Sequence, residues 1–271
     1  MSDLLRKVQL KEYEMLKELD RICKKHNIKY YLGQGTLLGA AKYKKFIPWD
    51  DDIDLLIPYK ELVKLMKVFK EDADERYILT NCFIEKHFPV AWSKIRNKNT
   101  LSRPVRYKDV PINWGICIDL FPVYPVSNVA FIRKIEKILY KAANKMLLAE
   151  FTKYEDGHGA FVRLLEKLPI SVRHMYFKMV IKLLNMHGDK TEYVMVTCKI
   201  PKLVKRDRLF GEEKSIFFED AEFPAPTEYH TYLTETYGDY MAPLPENEQR
   251  GHDLLMGDIE WELDIKSVDK N

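Results

Sequence analysis

Apolar residues at Leu5, Val8, Met15, Leu19, Ile22 and Cys23 recur at helical spacing across residues 4–26, with Glu12 the one break in the stripe, and predict an amphipathic helix. Asn27 offers a stop, and the β-branched and aromatic run 28–32 (IKYYL) reads as a strand ended by Gly33 and Gly35. Residues 36–43 predict a short helix whose first turn begins directly after Gly35, and the amides of such a helix start favour an anion. After a connector over 46–49, alternation around Asp54 predicts a second strand over 53–57, and Pro58 opens a helix over 59–69. Further strands are expected over 77–82, 90–96 and 115–123, the last an apolar run whose only acid is Asp119.

From residue 128 to about 186 the pattern turns helical, interrupted at 156–159 and at Pro169. The last segment is richer in Pro and Gly, with a short helix over 228–237 and then a loop carrying Tyr237, Gly238, Asp239, Arg250 and His252. No internal repeat stands out. The order of elements predicts an α/β (α+β) chain: a core over residues 1–126, and a mainly helical region with a C-terminal loop over 127–271, packing as one continuous unit.

Composition narrows the classes. A chain of 271 residues with 46% hydrophobic and 12% aromatic side chains can bury a substantial core. No apolar run approaches the roughly 20 residues of a membrane-spanning helix, and residues 1–16 lack the apolar centre of a secretory signal, so a cytoplasmic location is expected. Cys23, Cys82, Cys117 and Cys198 lie far apart with no CxxC pair, against both zinc and a disulfide framework. A net charge of +3 gives no reason to expect nucleic acid. The densest basic run, 199–208 (KIPKLVKRDR), reads as a solvated edge, with an anionic polymer or peripheral contact at the inner face of a membrane as the alternative.

The chemistry concentrates at 48–57 (PWDDDIDLLI), four carboxylates in five residues beside an apolar strand. Asp52 and Asp54, two apart, project from one face and make a seat for a hard cation such as Mg²⁺ or Mn²⁺, with Asp50 and Asp51 expected just outside it. An Asp-rich turn capping its own amides is the plain alternative. An EF-hand loop is the other, since Asp50, Asp52, Asp54 and Glu61 fall at its ligand spacing, but Leu55 stands where that loop needs Gly and Pro58 interrupts it. A glycine turn with Thr36, the Asp-x-Asp, and the lone Asp119 together supply amides and a hydroxyl for phosphate, a metal seat, and a third carboxylate to bind metal or take a proton. Lys94 and Arg96, on one face of a predicted strand, are candidate phosphate partners, and Arg250 and His252 candidate substrate contacts. Trp49, Trp92 and Trp114 could enclose a quaternary ammonium, although packing explains any one of them.

The segments Gly35–Gly39 (GTLLG), 48–54 (PWDDDID), 93–100 (SKIRNKNT), 115–122 (GICIDLFP) and 237–240 (YGDY), with Arg250 and His252, resemble the LicD family of phosphocholine transferases, related to fukutin, within the nucleotidyltransferase fold superfamily. The resemblance implies a mixed central sheet flanked by helices. It also implies Mg²⁺- or Mn²⁺-dependent transfer of phosphocholine, or a similar phosphoalcohol, from CDP-choline or another CDP-alcohol to a sugar hydroxyl of a glycan or lipid-linked glycan, releasing CMP. By this likeness Asp52 and Asp54 correspond to the superfamily's metal carboxylates and Asp119 to its third acid; from the glycine turn itself, Gly35 and Thr36 are expected to hold a phosphate oxygen. The chain departs from the family at 41–46 (AKYKKF), where Arg-His is usual. Rival expectations are a nucleotidyltransferase that uses an NTP and releases pyrophosphate, and a non-catalytic metal-binding protein.

Overall fold

The computed structural model describes residues 3–103, 112–149, 164–198, 200–243, 245, 249 and 258–260. Helix α1 (Asp3–His26) ends where Asn27 adopts φ 51°, a left-handed turn that lets the Ile28 amide reach back to the Cys23 carbonyl at 2.9 Å. There follow β1 (Tyr31–Leu32), α2 (Gln34–Tyr43), β2 (Asp54–Pro58), α3 (Tyr59–Asp72), β3 (Tyr77–Thr80), β4 (Ser93–Asn97) and β5 (Leu101–Arg103). The next elements are the long β6 (Cys117–Val126), α4 (Ala130–Leu148) and α5 (Ile170–Asn185). The chain continues through β7 (Tyr193–Val196), β8 (Lys202–Lys205), α6 (Arg206–Phe210), β9 (Lys214–Phe218), β10 (Ala221–Ala225), α7 (Tyr229–Tyr237) and β11 (Asp258–Glu260), which pairs with β5.

Strand β6 is the spine of a seven-stranded mixed sheet. Along one edge it pairs in parallel with β2, which in turn pairs with β1. Along the other it meets β4 over Cys117 to Leu120 and then β7 over Val123 to Val126, both antiparallel. Pro122, with no N–H to give a ladder, lies between these two pairings, where its carbonyl accepts from the Thr197 hydroxyl. Strand β3 extends the sheet beyond β4, and β8 extends it beyond β7.

Two cores result. The larger joins α1, α2 and α3 to β1, β2, β4 and the first half of β6, with the β9–β10 hairpin closing one side through Phe218 and Phe223. The second collects Tyr124 and Val126 from the far half of β6, Met195 from β7, and the inward stripes of α4 and α5.

The mixed sheet with flanking helices agrees with the expected fold class. Among the described residues, the later part of the chain also holds five strands that its pattern did not predict, β7 to β11. In β9, Ile216 and Phe218 are buried while Ser215 and Phe217 are exposed, an alternation broken by the apolar Phe217. Strand β8 lies within the basic run and is an edge strand, as the solvated-edge reading expected.

Candidate active site

The sheet register lines up the chemistry. Gly33 donates its amide to the Asp54 carbonyl at 2.9 Å, Asp54 sits beside Asp119 across the parallel β2–β6 pair, and Asp119 sits opposite Lys94 of β4. Residues in one register row share a sheet face, so two carboxylates and an ammonium meet side by side. The loop before β2 is fixed from three sides: the Asp54 amide donates to Thr36 Oγ1 at 2.8 Å, the Asp119 amide to the Ile53 carbonyl at 2.8 Å, and Gln9 Nε2 of α1 to the Asp50 carbonyl at 2.8 Å.

Helix α2 starts earlier than its sequence suggested, at Gln34 with Gly33 as the flanking residue, and Gly35 lies inside its first turn. Gln34 takes φ 39°, held by its side-chain amide donating to the Tyr232 hydroxyl at 2.8 Å. A Cβ on Gly35 would stand 2.6 Å from Asp50 Oδ2, so glycine is what lets that carboxylate approach the helix start. The Asp50 carboxylate thus lies against the helix start, where the sequence led us to expect an anion. The hydroxyl of Thr36, which is 2% exposed, braces the Asp54 backbone.

Asp50, Asp51 and Asp52 bring carboxylate oxygens within 4.8 Å of one another, so Asp50 and Asp51 belong to the same acidic group as Asp52. The Asp54 carboxyl is pushed well above its ordinary pKa, first by burial and then by the charges of Asp52, Asp119 and Asp50, with Lys94 opposing. Beneath this group lies Glu12, the break in the α1 stripe. It is 1% exposed, its Oε2 has no hydrogen-bond partner, and burial followed by Asp52, Cys117, Asp51 and Asp50 drives its pKa far up. Crowded oxygen donors of one sign with an orphaned buried carboxyl oxygen at their base fit a hard divalent cation such as Mg²⁺ or Mn²⁺.

Asp119, 8% exposed, is held at both oxygens: Trp92 Nε1 donates to Oδ2 at 2.8 Å and Lys94 Nζ to Oδ1. Burial opposes the charge on Lys94, but Asp119 and Cys117 outweigh it and raise its pKa. Arg96 goes elsewhere. It is buried, donates to the Gly115 carbonyl at 3.2 Å and lies over the rings of Phe88 and Trp114, 6.0 and 5.7 Å from their centroids. The tryptophans likewise take separate neighbours, Trp92 packing on Phe121 and Trp49 edge-on to Tyr43.

Two residues the sequence did not single out as ligands reach this region. Tyr237, the last residue of α7, is 42% exposed, yet its phenol pKa is raised, by burial first and then by Asp54 and Asp50. Lys202 of β8 sets its ammonium 5.6 Å from the centre of that ring. Lys42, in the segment that departs from the family pattern, holds the chain after α7 by donating to the Tyr240 carbonyl at 3.2 Å. Arg250 and His252 lie outside the described residues. A cavity of about 590 Å³ between the end of α1 and the β9–β10 hairpin is lined by none of the clustered aspartates.

Comparison with known proteins accords with this geometry. The family described as LicD/FKTN/FKRP, nucleotidyltransferase domain, matches residues 27–152, which contain the whole acid row and Lys94. The chain is 28% identical over 267 residues to the lipopolysaccharide cholinephosphotransferase LicD of Haemophilus influenzae, covering 92% of this chain and 96% of that protein. It is 35% identical over 65 residues, 24% of each chain, to an uncharacterized protein of Rickettsia prowazekii.

Proposed function

We propose that this transferase, whose residues 27–152 match the LicD/FKTN/FKRP nucleotidyltransferase domain, moves phosphocholine, or a similar phosphoalcohol, from a CDP-linked donor to a sugar hydroxyl of a cell-surface glycan or its lipid-linked precursor, releasing CMP. The observation that carries the reading is the row Asp54, Asp119 and Lys94 beside the carboxylates of Asp50 to Asp52.

Asp52 and Asp54 would hold Mg²⁺ or Mn²⁺, with the carboxylates of Asp50 and Asp51 grouped beside Asp52. When bound, such an ion supplies positive charge against the donor diphosphate. In the transfer, the acceptor oxygen forms a bond to the phosphorus of the phosphoalcohol while the bond from that phosphorus to the CMP oxygen breaks. The acceptor proton passes to a carboxylate of the site; Asp119, whose two oxygens are held by Trp92 and Lys94, either takes it or serves as a further metal ligand. Lys94 adds positive charge on that side, and Lys202 with Tyr237 lies at the rim, where a phosphate or a sugar would enter.

The test is CMP release from CDP-choline with Mg²⁺ and lipopolysaccharide or other glycan acceptors, comparing the parent with folded Asp52→Ala and Asp54→Ala proteins. CMP formed only by the parent and only with an acceptor is the expected result. Pyrophosphate released from an NTP, with no CMP from any CDP-alcohol, would replace this reading with the nucleotidyltransferase one.

A further inference from the structure

Helices α4 and α5 lie side by side over the second core, each burying one stripe against it, Tyr140, Ala143 and Leu147 in one and Phe177, Val180 and Leu184 in the other. Their opposite sides are also apolar. In α4, Phe131 (72% exposed), Ile135 and Ile138 (64%) follow each other at helical spacing, and in α5 so do Met175 (65%) and Met179, with Met186 (76%) just past the helix end. Exposed apolar residues scattered singly are ordinary, but a solvent-facing stripe on each of two adjacent helices is not.

The charges of this face have one sign. Lys134, Lys141, Lys178 and Lys182 are exposed, and the single acid within the two helices, Glu136, is 2% exposed, accepts from the Ser127 amide at 2.9 Å and binds His187. A second copy docked here would set lysines against lysines. Apolar stripes flanked by lysines suit a surface that offers both acyl chains and negative headgroups. No helix among the described residues is long and apolar enough to cross a membrane, so contact would be in the plane of the surface.

We propose that the α4–α5 face docks on an anionic lipid bilayer, with Phe131, Ile138, Met175 and Met179 entering the boundary between headgroups and acyl chains and the lysines meeting lipid phosphates. Bilayer binding needs neither donor nor metal, so this inference stands or falls apart from the proposed transfer.

The test is sedimentation of the full chain with vesicles of phosphatidylglycerol and phosphatidylethanolamine, against vesicles of phosphatidylcholine alone. The anionic vesicles should bind it and the neutral ones hardly. The combined variant Phe131→Ser, Ile138→Ser, Met175→Ser and Met179→Ser should lose roughly tenfold or more in binding while keeping the parent's Tm. Lys134→Gln, Lys141→Gln, Lys178→Gln and Lys182→Gln together should erase the preference for anionic lipid and its sensitivity to salt. Equal binding to both vesicle types, or no binding, would overturn the proposal. So would a parent dimer that the serine variant dissolves while vesicle binding stays unchanged.

Discussion

Replacing Thr36 by Val separates two uses of one hydroxyl. Sequence reasoning gave it a phosphate oxygen to hold; the structure has it accept the Asp54 amide at 2.8 Å from a site 2% exposed. Valine keeps the branched shape and removes the acceptor, leaving a partly buried N–H at the start of β2 without its partner. Such a loss costs about 1–3 kcal/mol, which for a chain of this size lowers Tm by roughly 2–12 °C, at about 2–4 °C per kcal/mol. Because the same amide positions Asp54, proposed here as a metal carboxylate, kcat should fall with stability, and Thr36→Ser, which restores the oxygen, should recover most of both. Calorimetry and CMP release on the three proteins make the comparison. If Val leaves Tm within error of the parent while raising KM for the donor, the hydroxyl serves the ligand and the bracing role is wrong.

Three further outcomes follow from the same geometry. Trp92→Phe keeps an aromatic ring against Phe121 but deletes the 2.8 Å bond to Asp119; a lost hydrogen bond to a charged group is worth about 1.5–3 kcal/mol, so kcat should drop about tenfold or more with donor KM little changed, and an unchanged kcat would remove Trp92 from the site. Glu12 has a folded-state pKa raised above its ordinary 4.5, so its favourable contribution is present below that value and lost as pH rises through the folded one. Glu12→Gln should therefore be more stable than the parent at pH 7 in chelator and should flatten the fall in stability above pH 4.5; a Gln protein less stable than the parent throughout would contradict this. Finally, Mg²⁺ should raise the Tm of the parent by binding the folded state and should do so far less for Asp52→Asn or Asp54→Asn, as differential scanning fluorimetry can read directly.

Much of the site was legible because its residues are written as local pattern. The aspartates of 50–54, the glycine turn at 33–35 and the isolated Asp119 each break a hydrophobic period, and a charge inside an apolar run carries information by being costly there. What escaped was whatever depends on register. That Trp92 and Lys94 would converge on Asp119 follows from the β4–β6 pairing, which no local period reveals. Glu12 was visible as a break in the α1 stripe, but only the packing of α1 beneath the acidic loop gives that break a meaning. Strand β8 was missed because four residues inside a basic run carry too few alternations to stand out, and β7 because its short apolar run follows a long helical pattern.

The parallel pairing of β2 with β6 also has a kinetic side. Asp54 and Asp119 become neighbours only after the chain has laid down α3, β3 and β4 between them, a non-local closure that is slow in itself. In this protein that closure also brings the carboxyls of Asp54 and Asp119 together, so this pairing works against its own electrostatics. The proposed divalent cation, if present during folding, would lower that barrier as well as hold the finished site, and the protein would then reach its native sheet faster with Mg²⁺ than without it.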